Sequence, residues 1–318
     1  MGALFLTEQD VSELLDIRST IKVVDAAFRQ WADGKLENVP RRRAQSTGFV
    51  LHSMSAAAEY LSLACWKQYA TTRAGARFHV GLYDTTNGNL AALIEANRLG
   101  QLRTGAATAV AVGYMAAQET SEMGLFGAGY QAESQLEAVA AVLPLKRVFV
   151  YSRDANRREA FAERMAARLN LEIEPVDRPQ LAAEEVPLVV TATSSREPVF
   201  SGEWLDENAL VCAVGSNWLH KAEIDSVTVR RADHIVCDSI EACQHEAGDF
   251  VEAIERGNFS WDRAVNLADV VAGRAVGRSH APGIRLFKSV GLAMEDLAAA
   301  AEVLKRAHLE GRGTVLPL

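Results

Sequence analysis

Residues 123–135 read MGLFGAGYQAESQ, and the fold turns on this stretch. An apolar run, 123–126, leads directly into Gly127-Ala128-Gly129-Tyr130-Gln131-Ala132 and then into a helical pattern. A strand that turns on glycine into a helix presents free N–H groups and the positive end of the helix dipole to an anion. In that geometry Gly127 makes the tight turn and Gly129 admits a pyrophosphate close to the backbone. Ala132 lets the helix pack closely on the strand. A second apolar run at 148–151 completes a strand–helix–strand unit. Gly127, Ala128, Gly129, Tyr130 and Gln131 are therefore the expected cofactor contacts of a dinucleotide-binding fold.

Beyond residue 121 the same rhythm continues. Runs at 188–191, 209–214 and 234–238 follow the helical segments 131–143 and 156–168, which predicts a parallel α/β sheet. The second strand ends in VYSRDANR. Ser152 and Arg153 suit the 2′-phosphate of NADP, whereas Asp154 reads either as the ribose acid of NAD or as a helix cap. NAD and NADP both stay open, with a slight lean to NADP.

The preceding part reads as a helix over 7–34, a polar Arg-rich approach, and a hairpin of 79–83 with 90–95 around Asn87-Gly88. A tightly packed helix of small residues follows over 101–117. Residues 287–311 read as one long helix, ended by Gly311 and Gly313, that packs back on the first domain. Three segments of this part carry cations in small or apolar surroundings: Arg41, Arg42 and Arg43 after Pro40, Lys67 in ACWKQ, and Arg103 in LRTG. Together they suit fork-like capture of a carboxylate.

Composition narrows the field. A net charge of −8 and a pI near 5.5 argue against a nucleic-acid surface. The amino-terminal segment lacks the basic flank and long apolar run of a secretory signal, and Leu6 stands where myristoylation asks for Ser or Thr. No uncharged run approaches the roughly 18 residues of a membrane span. Cys65, Cys212, Cys237 and Cys243 form no CxxC pair and read as reduced, buried thiols of a cytoplasmic protein. The scattered histidines give no metal-ligand spacing, so no metal is expected.

The pieces PRRR, ACWKQYATT, LRTGAATAVA, GLFGAGYQAESQ, TATSSREPVF, AVGSN with KAEID, and FKSVGLAMEDLAAA occur in this order along essentially the whole chain. In this the sequence resembles the ornithine cyclodeaminase/μ-crystallin family. The resemblance implies an α/β protein with a Rossmann dinucleotide-binding domain, residues 117–287, and a mixed α+β substrate-binding and dimerisation domain, residues 1–116 with 288–318. It implies a homodimer and a substrate carboxylate held by Arg41, Lys67 and Arg103 opposite the nicotinamide, with Arg43 as the alternative to Arg41. Thr104, Thr191, Ala192, Thr193, Val214, Ser216 and Ser289 would line the cofactor, with Lys288 near its nicotinamide end.

One departure bears on the reaction. Cyclodeaminases of the family carry an aspartate where AVGSN has Asn217, and an amide takes no proton near neutral pH. The expected activity is therefore NAD(P)H-dependent reduction of a small imino acid, with Lys67, Arg103 and Asn217 as candidate catalytic residues. Two arginines beside Lys67 should lower its pKa and let it relay a proton. The extra cations Arg42, Arg43, Arg73, Arg77, His52 and His220 would suit a dicarboxylic imine such as iminosuccinate. The competing readings are ornithine or lysine cyclodeamination, alanine-type dehydrogenation, and non-enzymatic ligand binding.

Overall fold

The structure, a computed structural model, describes residues 2–278 and 282–317. The chain divides into two compact units: residues up to Ala106 together with those from Gly291 onward, and Ala107–Val290.

The first unit opens with β1 (Leu4–Leu6) and the helices α1 (Glu8–Leu14) and α2 (Ile17–Ala32). The sequence suggested one helix here. The break has a local cause: Asp16 Oδ1 accepts from the Ser19 N–H, so the aspartate caps a new helix instead of continuing the old one. Four long antiparallel strands follow: β2 (Leu36–Ser46), β3 (Phe49–Ala58), β4 (Leu63–Thr72) and β5 (Gly75–Asp84). β6 (Leu90–Glu95) closes the expected hairpin with β5 and runs parallel to β1. The Arg-rich segment is therefore part of a strand and not an irregular approach. Its register shifts between Val39 and Arg42, and β2 lies at the sheet edge, where Pro40 costs no ladder bond. Helix α3 (Asn97–Met115) starts on the Glu8 carboxylate, which accepts from the backbone N–H of Asn97 and Arg98. The division between the units falls inside this helix.

The second unit is a parallel sheet. Its elements are β7 (Glu122–Phe126), α4 (Tyr130–Ala140), β8 (Arg147–Tyr151), α5 (Ala155–Leu169), β9 (Glu172–Val176), β10 (Leu188–Thr191), β11 (Leu210–Ala213) and α6 (Ser226–Arg231). They continue through β12 (Ala232–Cys237), α7 (Ile240–Glu246), α8 (Val251–Glu255), β13 (Ala264–Asn266), α9 (Leu267–Val271) and β14 (Ile284–Lys288). The order is β13-β12-β14-β11-β10-β7-β8-β9, with every neighbouring pair parallel. β10, β11 and β14 are buried at every position, the burial expected of strands covered on both faces.

The terminal helix is shorter than the sequence suggested. Phe287 and Lys288 end the central strand β14, the chain turns at Gly291 (φ 82°), and α10 (Ala293–Glu310) begins there. α10 packs on α2 and on the sheet of the first unit, and β15 (Thr314–Val315) pairs with β1. All four cysteines are buried and free. Among the described residues no helix is long and apolar enough to cross a membrane.

Candidate active site

In the first unit, strand pairing builds one charged face. The ladder sets Arg43 opposite His52, His52 opposite Tyr69 and Tyr69 opposite Phe78. The rings stack, with centroids 4.0 Å apart for His52–Tyr69 and 4.6 Å for Tyr69–Phe78. Lys67 lies two residues from Tyr69 on β4, so it projects to the same face. Arg41 joins it with its guanidinium carbon 6.0 Å from the Tyr69 ring centre and Nη2 donating to Gly291 O at 3.3 Å.

Two carboxylates that the sequence reading missed meet these cations. Asp296 Oδ1 accepts from Lys67 Nζ at 2.7 Å and from Arg103 Nε at 3.2 Å. Glu295 Oε2 accepts from Arg103 Nη1 at 2.7 Å. Both acids are fully buried in the first turn of α10, and Lys67 is 1% exposed. Acids in a first helical turn are ordinary dipole partners, so their sequence position alone carried no signal. Burial is the largest influence on Lys67, with Arg103 next and Arg41 adding to it. Against the pull of Asp296 they bring it down to about 8. The lowering is in the expected direction, but desolvation outweighs the arginines. For Arg103 burial works against the charge, yet Asp296 and Glu295 outweigh it and raise the pKa.

Arg41 and Arg43 now differ. Arg41 is 5% exposed within the cluster, whereas Arg43 Nε donates to His52 Nδ1 at 3.2 Å. Burial, Arg43 and Arg41 hold His52 down at about 4, so it is neutral near pH 7. Arg42, Arg73 and Arg77 are exposed, and His220 belongs to the other unit. The cluster is thus Arg41, Lys67 and Arg103 against Glu295 and Asp296, an excess of one positive charge. A buried cluster of that balance suits a monoanion.

The second unit carries the glycine turn. Gly127 has φ 116°, and a Cβ there would stand 2.5 Å from Ala192 O. Gly129 begins α4 with no side chain capping its first amides, and a Cβ on it would meet no protein atom within 4 Å. Uncapped helix amides beside an open glycine fit a phosphate. Ala132 is fully buried, as close packing of α4 requires. At the end of β8, Asp154 Oδ1 accepts from the Arg157 N–H at 3.1 Å and caps α5. Ser152 and Arg153 precede it, Ser152 half-buried and Arg153 exposed.

A second set of buried charges was also unforeseen. Glu223 accepts from Thr191 Oγ1 (2.9 Å), Thr193 N (2.6 Å), Thr193 Oγ1 (2.7 Å) and Gly215 N (2.6 Å). It ties the chain beyond β10 to the chain beyond β11, and Val214 N–H donates to Thr191 O across the same gap. Thr104 belongs to the first unit, its hydroxyl donating to Gly100 O at 2.7 Å. Lys288 pairs with Asp249 at 2.7 Å and donates to Ser216 O at 2.8 Å. Its ammonium is thereby paired inside the protein, with both side chains fully buried. Ser289 Oγ donates to Asp238 Oδ2 at 2.9 Å. Asn217 lies half-buried in the loop after β11, in a different unit from Lys67 and Arg103. Among the described residues no group of three or more His, Cys, Asp or Glu side chains could hold a metal ion.

Residues 1–311 match the family described as ornithine cyclodeaminase/mu-crystallin. The chain is 33% identical over 235 residues to the Delta(1)-pyrroline-2-carboxylate reductase of Bacillus cereus, covering 74% of this chain and 72% of that protein. It superposes on the Thermococcus litoralis Delta(1)-pyrroline-2-carboxylate reductase, solved with NADH and L-proline, with a TM-score of 0.93 at 31% identity, covering 98% of this chain and all of that one. An archaeal alanine dehydrogenase dimer with bound NAD gives a TM-score of 0.94 at 27% identity over the full length of both.

Proposed function

The chain belongs to the ornithine cyclodeaminase/mu-crystallin family, and on that premise we propose that it is an NAD(P)H-dependent reductase of a small imino acid. The observation that carries this reading is the buried cluster of Arg41, Lys67 and Arg103 with one positive charge in excess. Arg41 and Arg103, 5% and 7% exposed, bind the substrate carboxylate and so fix the imine carbon. Lys67 is the proton donor to the imine nitrogen, and a value of about 8 suits that work near neutral pH.

The dinucleotide supplies the hydride when bound. In the second unit Gly127, Ala128, Gly129, Tyr130 and Gln131 hold its pyrophosphate. Thr191, Ala192, Thr193, Val214, Ser216 and Ser289 line it, with Ser152 and Arg153 toward the adenosine ribose. The C=N bond becomes CH–NH: its carbon gains the hydride and its nitrogen a proton. Asn217 offers no ionisable group to drive release of a distal amine, which supports a reductase over a cyclodeaminase. The pyrroline-2-carboxylate reductases among the relatives make a cyclic α-imino acid the first substrate to test. The archaeal neighbour supports a homodimer, and the four free thiols support a cytoplasmic setting.

The test is NAD(P)H oxidation with Δ1-pyrroline-2-carboxylate, Δ1-piperideine-2-carboxylate, iminosuccinate, and pyruvate with an amine, beside ammonia release from ornithine. Oxidation with a monocarboxylic cyclic imine and no ammonia from ornithine is the expected outcome. Ammonia release without net oxidation of the dinucleotide would overturn the reading.

A further inference from the structure

We infer that Asp296 is the positioning residue that holds Lys67, through the Nζ–Oδ1 bond, as an aimed ammonium for the proton transfer; this rests on the reading of Lys67 as proton donor. The bond is 2.7 Å long between side chains 1% and 0% exposed. A buried ammonium without a counter-charge releases its proton to escape the cost of desolvation. The same carboxylate oxygen is braced from a second direction by Arg103 Nε, while Oδ2 makes no hydrogen bond among the described residues. Asp296 therefore spends its hydrogen bonding on these two cations.

The groups around Lys67 come from every neighbouring element. β2 brings Arg41, with Arg43 farther along, and β3 brings His52, held neutral. β4 brings the Tyr69 ring and the Cys65 thiol, which burial pushes up to about 12. α3 brings Arg103, and α10 brings Glu295 and Asp296. Of the charges acting on Lys67, Arg103 and Arg41 favour the neutral amine and Asp296 favours the ammonium. Glu295 is bonded to Arg103. In the transfer an N–H bond of the ammonium breaks and a bond to the imine nitrogen forms. Lys67 is left as an amine, which water reprotonates.

Asp296→Asn keeps the shape and an oxygen acceptor while removing the charge. The expected result is that the alkaline limb of kcat/KM moves to lower pH by about one unit or more. The rate loss is then much greater at pH 9 than at pH 6. Asp296→Glu, which keeps the charge but shifts it by a methylene, should leave the limb near its original place and lower kcat. Lys67→Met is measured alongside. If it retains turnover, the reading of Lys67 fails and takes this inference with it. If Lys67→Met is inactive while Asp296→Asn leaves the limb unmoved, only the role of Asp296 is overturned. Should Asp296→Asn not fold, Asp296→Glu decides: reduced kcat with an unmoved limb supports positioning, and unchanged kcat overturns it.

Discussion

At the residue scale, cofactor choice depends on Asp154. An acid beyond the second strand holds the ribose of NAD only if its oxygens are available. Here Oδ1 accepts the Arg157 N–H, and Oδ2 lies 3.5 Å from Arg157 Nε. That capping duty accounts for Asp154 without a ribose, and the exposed Arg153 beside it is the pairing cation of the 2′-phosphate reading. Replacing Arg153 with Ala should weaken NADPH binding about tenfold, a loss of roughly 1.4 kcal/mol, and NADH binding less than about twofold. Fluorescence titration of both dinucleotides checks this. Equal losses would leave Arg153 no part in the choice. The acids of the first unit follow the same logic, since what a carboxylate touches decides its role. Glu295 and Asp296 could not be assigned from the sequence because nothing in AMEDLAAA reveals the Lys67 and Arg103 across from them.

At the element scale, the turn between β14 and α10 reaches the cationic cluster. Gly291 has φ 82°, and a Cβ there would lie 2.7 Å from Arg103 Nη1. Its carbonyl meanwhile accepts from Arg41. Gly291→Ala should cost about 1–2 kcal/mol in backbone strain and displace the guanidinium. KM for the imino acid is expected to rise severalfold with a smaller change in kcat, and a steady-state comparison measures both. The elements that the sequence left unread have physical reasons. β2 holds Pro40 and three arginines and β9 holds Pro175, poor strand signals, yet both lie at sheet edges that tolerate proline. β14 ran into the helical pattern behind it because IRLFK is too short to show a period, and its Arg285 and Lys288 mask a strand that is buried throughout. By contrast β7 with its glycine turn, and Lys67 and Arg103 in small apolar surroundings, were legible because each breaks a local pattern for a chemical reason.

At the scale of the whole molecule, a net charge of −8 means that anionic ligands are not drawn in by the long-range field. Binding has to come from local features, the uncapped amides of α4 and the enclosed cations, which salt screens only weakly. Dinucleotide binding should therefore appear as stabilisation by mass action. At a hundred times its dissociation constant the bound form gains about 2.7 kcal/mol, which for one transition of the 318-residue chain raises Tm by roughly 4 °C. α3 runs unbroken through the division of the chain, so its hydrogen-bond ladder belongs to both units. One cooperative transition that moves as a whole is accordingly expected in a calorimetric scan with and without the cofactor. Gly127→Ala gives the contrast. A methyl 2.5 Å from Ala192 O forces the turn out of shape, so this variant should melt at one temperature whether or not dinucleotide is present. If the variant still showed the full ligand-induced rise, the glycine turn would not be where the pyrophosphate binds.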